Sequence, residues 1–305
     1  MDNTEKQLLK MIADIEELPT GAYNIRSNGN TAVRNTTANV DIRSKEDISG
    51  IEVIIRAGTV GETIHIPVII SESGIKETVY NDFIIGEDCD ITIMAGCGIH
   101  NCDSEESRHD GIHTFFVGKN SKVRYIERHY GSGEGKGERN MNPTTVINIA
   151  EGGYMEMETT QISGIDSTKR ETPATLDKES TLVIKEKLLT EAEQYAETDF
   201  VVNLNGEGSG ANVISRSVAK DNSSQIFRSA VNGNAACSGH TECDAIIMDN
   251  ARVSAIPEVN ANHIDASLIH EAAIGKIAGE QLIKLMSLGL TESEAEAEIV
   301  NGFLK

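Results

Sequence analysis

The sequence predicts a mainly β chain wound as a solenoid, a parallel β-helix, with a short helix before it and a helical segment after it. Three observations carry this. From about residue 36 to 265, short apolar runs alternate with polar positions, as in Ile51-Glu52-Val53-Ile54-Ile55, Val146-Ile147-Asn148-Ile149 and Phe200-Val201-Val202-Asn203-Leu204. That is the period of strands. Gly, Asn and Asp break these runs, and 27 Gly against five Pro make the turns largely glycine turns. A turn phrase also recurs. Gly86-Glu87-Asp88-Cys89-Asp90-Ile91, Gly118-Lys119-Asn120-Ser121-Lys122-Val123 and, less strictly, Ala150-Glu151-Gly152-Gly153-Tyr154-Met155 set positions 89, 121 and 153 at 32-residue intervals. Met248-Asp249-Asn250-Ala251-Arg252-Val253 matches more loosely. A turn at a fixed interval between strands marks a solenoid. An ordinary β-sandwich is the alternative.

The ends read differently from the middle. Thr4-Glu5-Lys6-Gln7 has the form of a capping box, and Leu8, Met11, Ile12 and Ile15 follow on one helical face, which ends at Leu18-Pro19. Near the C-terminus, Leu282, Ile283, Leu285 and Met286 precede Gly289 as a C-cap, and Thr291-Glu292-Ser293-Glu294 opens a second helix leading to Ile299, Val300 and Phe303. The expected division is an N-terminal helical segment over 1–35, a β-helix over 36–265 and a C-terminal helical segment over 266–305. The last is too small to stand alone and must pack on the β body or on a partner.

Composition narrows function by exclusion. A formal charge of −21 over 305 residues opposes nucleic acid and anionic membranes, which need clustered Lys and Arg. No apolar run approaches the roughly 18–20 residues of a membrane span. The N-terminus, Met1-Asp2-Asn3-Thr4-Glu5-Lys6, lacks an apolar signal core, so a cytoplasmic chain with five reduced thiols is expected. Gly131-Ser132-Gly133-Glu134-Gly135-Lys136-Gly137 lacks the P-loop spacing and reads as a flexible loop. No nucleotide or protease motif is present, so any nucleotide must come with a partner.

The chemistry therefore rests on thiols and imidazoles, the ligands zinc and iron–sulfur clusters prefer. Cys97 and Cys102 lie in Gly96-Cys97-Gly98-Ile99-His100-Asn101-Cys102, followed by His109 and His113; Cys237 and Cys243 lie in Cys237-Ser238-Gly239-His240-Thr241-Glu242-Cys243. Neither spacing is that of a zinc knuckle. Cys89, alternating with strand residues at a turn, reads as a buried core thiol. His263, Asp265, His270 and Glu271 form a last cluster, either a ligand set or a polar join between sheet and helix.

At these residues the chain resembles the SufB/SufD family of iron–sulfur cluster assembly proteins. Ile256-Pro257-Glu258-Val259, Ile269-His270-Glu271-Ala272-Ala273-Ile274-Gly275-Lys276-Ile277 and Glu280-Gln281-Leu282 are similar to its C-terminal signature. Leu288-Gly289-Leu290-Thr291 through Ile299-Val300-Asn301-Gly302-Phe303 is particularly similar to SufB, and Gly239 to Asp244 and the stretch from Glu87 to Tyr130 look like family phrases. The resemblance implies a right-handed β-helix and a non-catalytic scaffold. C-terminal helices would dock on the ABC ATPase SufC through Leu282, Leu285, Met286, Ile299 and Phe303. Two β-helices would pair edge to edge, here as a homodimer with two ATPase chains, and ATPase closure would open that interface. Cys97 falls on the cysteine that accepts sulfur, and His270 and Glu271 fall on a His-Glu pair at the interface. The late SufB cysteine is matched to Ala251, and the long N-terminal region of SufB has no counterpart. The expected cluster ligands are thus Cys97, Cys102, Cys243, His270 and Glu271, with a sulfur donor and apo-protein acceptors as further partners. A SufD-like structural subunit that holds no cluster is the alternative. A β-helix enzyme acting on polysaccharide ranks last, because aromatics are few.

Overall fold

The computed structural model describes residues 2–305. Helix α1 (Asn3–Ala13) precedes β1 (Tyr23–Ser27), β2 (Asn30–Asn35), β3 (Val40–Ser44) and β4 (Gly50–Ile55). The body continues through β5 (Val60–Ile70), β6 (Lys76–Ile85), β7 (Asp90–His100), β8 (Ser107–Val117), β9 (Lys122–Ser132), β10 (Arg139–Met141), β11 (Thr144–Ile149) and β12 (Tyr154–Ser163). It ends with β13 (Ser167–Leu176), β14 (Thr181–Thr190), β15 (Tyr195–Leu204), β16 (Gly210–Ala219), β17 (Ser224–Gly233), β18 (Ser238–Ile247), β19 (Arg252–Ala261) and β20 (Ser267–Gly275). Helices α2 (Gly279–Ser287) and α3 (Glu292–Phe303) follow.

From β5 onward the chain alternates between two parallel sheets, building a β-solenoid of about 8 turns. One sheet runs β2-β1-β5-β7-β9-β12-β14-β16-β18-β20, and the other runs β19-β17-β15-β13-β10-β8-β6-β4-β3. Strand β11 continues the rung of β10 after Asn142-Pro143, where the missing proline N–H interrupts the ladder. The repeat is 32 residues from Asp90 to Lys122 and again to Tyr154, as the turn phrases predict. It then shortens to 27 at Thr181 and 29 at Gly210, which hid the later rungs from a fixed-interval reading. The first three turn phrases occupy one corner of the solenoid, and Met248–Val253 turns the opposite corner between β18 and β19. Left-handed residues make these turns, with Asp88, Asn120, Asp221 and Asp249 at φ near +55°.

Parallel register stacks inward residues into columns. In the first sheet, Ile91, Val123, Met155 and Leu182 form one apolar column and Ile93, Tyr125, Met157 and Ile184 the next. On the facing sheet Phe83, Phe115, Ile147, Ala174 and Val202 stack in turn. Asparagines ladder along that sheet's outer side, Asn260 Nδ2 donating to Asn232 Oδ1 at 2.9 Å and Asn232 Nδ2 to Asn203 Oδ1 at 3.0 Å.

Four boundaries differ from the sequence reading. The solenoid itself runs past the expected end at 265, since β20 occupies Ser267–Gly275 within the stretch expected as helical. The capping box of α1 is Asp2 with Glu5, two residues earlier than expected, because the Asp2 carboxylate accepts from Glu5 N at 2.8 Å. The helix stops at Ala13, where Asp14 turns left-handed (φ 54°) and its carboxylate meets Arg128, not at Pro19. Residues 23–35, expected as helical segment, form the antiparallel hairpin β1–β2, turned by Asn28 and Gly29 at φ 46° and 81°. Asn-Gly between two strands is a strong hairpin signal. Gly131–Gly137 is strapped down, Gly135 N donating to Asn101 O and Gly137 N to Asp103 O.

Helix α1 buries Leu8, Leu9 and Ile12 on the outer face of β5, β7 and β9. Two glycines permit this approach. A Cβ at Gly96 would lie 2.9 Å from Ile12 O of the helix, and one at Gly98 3.0 Å from the Leu8 side chain. At the other end β19 and β20 are edge strands, each paired on one side only. Helix α3 covers a corner, where Val300, Leu304 and Phe303 pack with Val218 and Met248, and α2 lies against α3. Gly98→Val is expected to cost about 1–3 kcal/mol by overpacking. Hydrogen exchange should show α1 losing protection while the rungs from β12 to β18 keep theirs.

Candidate functional site

Beside the apolar columns run two polar ones. Ala95, Glu127, Thr159, Glu186, Ser215 and Cys243 form the first, and Cys97, His129, Gln161, Leu188, Ser217 and Ala245 the second. The lumen therefore carries a polar band beside its apolar core. Cys97 and Cys243 stand at its two ends, five strand steps apart, about 24 Å at the usual spacing.

At the Cys97 end the thiol is buried, with His109, His113, His129 and Glu127 around a cavity of about 10 Å³, roughly the room of one water. Glu127 Oε2 pairs with Arg170 Nη1 at 2.5 Å, and its Oε1 accepts from Tyr125 OH at 2.9 Å. The same hydroxyl lies 2.8 Å from His113 Nδ1. Glu77 joins His109 Nδ1 (3.1 Å) to Arg26 Nε (2.8 Å). Burial alone would raise the Glu127 carboxyl, but Arg170, then His129 and His113, hold it well below the usual carboxylate range. Burial, with Glu77 and Glu127 nearby, pushes the Cys97 thiol well above its ordinary value. Unpaired buried charge costs several kcal/mol, so these carboxylates persist only because each has a cation.

At the other end, β18 and β20 lie side by side with Thr241 opposite His270, Glu242 opposite Glu271 and Cys243 opposite Ala272. Alternation splits the neighbouring His270 and Glu271 between faces. His270 joins the luminal row, its Nδ1 2.6 Å from Thr241 Oγ1, while Nε2 is buried without a hydrogen-bond partner among the described residues. Cys243 is its diagonal neighbour on that row, its thiol pushed up to about 12 by burial, then Glu186 and Asp244. Glu271 points outward to His240 Nε2 at 3.4 Å, and with Glu242 these ligand atoms fall within 4.8 Å of one another. Burial, then Asp244, raises the Glu242 carboxyl.

The five expected ligands thus do not meet within one chain. Cys97 is luminal near the N-terminal end, Cys243 and His270 are luminal at the C-terminal end, and Glu271 is on the outer surface there. Cys102 is the exposed thiol of the five, on the loop after β7 beside His100. Ala251 sits in the turn before β19, so Cys243 is the thiol that neighbours His270. Cys89, expected as a buried core thiol, lies in the hydrophobic core, and so does Cys237. His263 and Asp265 are exposed in the turn before β20 and join no ligand set among the described residues. Of the docking residues, Leu282 and Leu285 are half-buried and Met286 exposed; Ile299 is half-buried, and Phe303 packs against the solenoid. Ile283 and Leu288 are the more open side chains, at 68% and 76% exposure. Glu77, Glu127, His129 and Arg170 were not foreseen; the signal was a charged residue at an inward position of an alternating run.

Fold and site define a β-solenoid protein with a charged lumen and thiols at both of its ends. The SufBD core domain of the SUF system for FeS cluster assembly matches residues 71–303. Iron-sulfur cluster assembly SufBD family proteins of three archaea are similar. That of Methanocaldococcus jannaschii is 33% identical over 79% of this chain and 76% of its own length. That of Archaeoglobus fulgidus is 32% identical over 75% of this chain and 61% of its own. That of Methanothermobacter thermautotrophicus is 29% identical over 77% of this chain, which spans 57% of that relative. The chain belongs to the SufBD family of iron–sulfur cluster assembly proteins. No helix among the described residues is long and apolar enough to cross a membrane.

The lumen makes stability pH-dependent. Burial pushes the His113 imidazole down to about 4, with Glu127 opposing and His109, His129 and Arg170 adding to the depression. As pH falls, the unfolded chain binds this proton first, so the contribution is full above about pH 6.5 and is lost on descending towards about pH 4, at most about 3 kcal/mol. Urea midpoints across that window should fall in the parent chain and fall less in His113→Gln. Glu127 adds a further loss below the ordinary carboxylate range, with the same sign.

Proposed function

We propose that this chain is a non-catalytic scaffold in the cytoplasm. An iron–sulfur cluster is built on it as cargo and passes to apo-proteins, while a SufC-type ABC ATPase supplies the nucleotide chemistry. One observation carries the reading: Cys243 and His270 share the luminal face of the last two rungs of one sheet, where the solenoid ends on open edge strands. A thiolate and an imidazole at an edge suit a ligand set that a second copy completes and that opening of the edge dismantles. Exposed Ile256, Val259 and Ile269 on β19 and β20 favour a homodimer through these strands. The column Ala95-Glu127-Thr159-Glu186-Ser215-Cys243 runs from beside Cys97, the expected sulfur acceptor, to Cys243, which supports sulfur moving between them within the chain. In the closed chain both thiols are protonated, so ligation requires a proton to leave, which fits a site armed only when the ATPase opens the edge.

The division of labour follows the segments: α1 closes one face, the solenoid holds the thiols, and α2 with α3 forms the docking segment. A second reading, a SufD-like subunit that completes the complex without holding a cluster, is favoured by the depth at which Cys97 and Cys243 are buried.

Anaerobic co-expression with the cognate ATPase, followed by iron and sulfide quantitation and Mössbauer spectra, separates the two. Near-stoichiometric iron and sulfide that fall at least tenfold in Cys243→Ser and in His270→Ala are expected of the scaffold. A stable ATPase complex without iron, even after reconstitution, identifies the structural subunit. Ile283→Glu with Met286→Glu should abolish ATPase co-purification while the circular dichroism of the solenoid is unchanged.

A further inference from the structure

Four of the five thiols are buried, and burial with carboxylates nearby keeps Cys97 protonated. A sulfur donor approaching from solvent meets none of these four. Cys102 is exposed, and it is not alone. Its Sγ lies 2.9 Å from His100 Nε2, and His100 Nδ1 lies 2.9 Å from Ser132 Oγ on the next rung of the same sheet. With Nδ1–H donating to Ser132, Nε2 is left as the acceptor for the thiol proton. Nucleophile, base and a group that orients the base are the parts of an activated cysteine.

The surroundings fix this arrangement. Ser132 ends β9, which pairs with β7 with His100 opposite Ser132, so the register that builds the solenoid also sets base against orienter. Cys102 N donates to Ser73 Oγ at 3.1 Å, and the backbone of Gly135 stacks so closely that a Cβ there would lie 2.6 Å from Cys102 C. The Gly131–Gly137 strap therefore holds the thiol loop in place. An open groove of about 770 Å³ runs past Ser132; its lining includes Lys136, Arg139 paired with Asp166, and the acidic Glu138, Glu191 and Glu193.

We propose that Cys102, with His100 as general base and Ser132 as positioning residue, is the thiol that first takes sulfur from a donor persulfide at the surface. Cys102 Sγ attacks the terminal sulfur of R–S–SH. The new Cys102–S–SH bond forms as the donor S–S bond breaks. The thiol proton passes to His100 Nε2 and from there to the departing R–S⁻, giving R–SH. Cysteine and donor exchange one sulfane sulfur, and no external oxidant or reductant is consumed. This rests on the scaffold reading and moves the entry point from buried Cys97 to the surface.

The test uses the full chain with glutathione persulfide, quenched at short times and digested, with mass spectra locating the added sulfur. Label is expected first on the Cys102 peptide, at a rate about a hundredfold lower in His100→Asn. Cys102→Ser should lose the early label and still assemble cluster from iron and inorganic sulfide, which needs no accepting nucleophile. Label appearing on Cys97 at the parental rate in Cys102→Ser overturns the proposal. So does an unchanged rate in His100→Asn. Failure of Cys102→Ser to hold cluster even with inorganic sulfide makes Cys102 a ligand and likewise overturns it. A parent chain that labels at Cys102 and builds no cluster from either sulfur source supports the acceptor role while removing the scaffold reading.

Discussion

Register is the constraint on which the rest of the molecule depends. In a parallel solenoid every inward side chain lies over its counterpart one rung away, so a residue is answerable to positions about 30 residues before and after it. Apolar columns on one side satisfy this by burying like against like. On the other side the same rule brings carboxylates, imidazoles and a guanidinium into the interior, where each must find a partner. Glu127 with Arg170, and Glu77 with Arg26 and His109, are the solutions found here. The thiols inherit that environment. Burial first, and then nearby carboxylates, push the Cys97 and Cys243 thiols above their ordinary value.

The same rule determines what the amino-acid order could and could not disclose. Strand content, the helical ends and the early repeat were legible because they are local: alternation, capping residues and a 32-residue turn phrase. The later rungs were not, since shortened turns erase the interval while leaving the register intact. Side-chain partnership was least legible of all. Cys97 and Cys102 look like a pair, yet one enters the lumen and the other leaves the strand onto a surface loop. His270 and Glu271 are adjacent, yet pleating sends them to opposite faces. By contrast, Glu127 and Arg170 are 43 residues apart in the chain and meet only because two sheets face each other.

The two ends of the lumen are built to different purposes. Near Cys97 the network is closed, with four elements contributing charge and α1 clamped across the outside through Gly96 and Gly98. Near Cys243 it is more open, with His270 Nε2 lacking a hydrogen-bond partner among the described residues and β20 at the edge of its sheet. Outside those last strands, His240, Glu242 and Glu271 gather acceptors on the other face. Rigidity at one end and availability at the other follow from a single architecture, because a solenoid is stabilised rung by rung and is weakest where the rungs stop.

Thiol burial also sets how the chain ages in air. Oxidation to sulfenic acid and beyond needs access as well as thiolate character, and the four interior cysteines are buried. Peroxide reaching the protein is met first at Cys102, where early products are reversible by ordinary thiols. Damage is thereby drawn to the position easiest to repair, and the interior sulfurs, which no reductant could readily visit, are spared. The chain thus carries, in one surface thiol, its own sacrificial contact with the solvent.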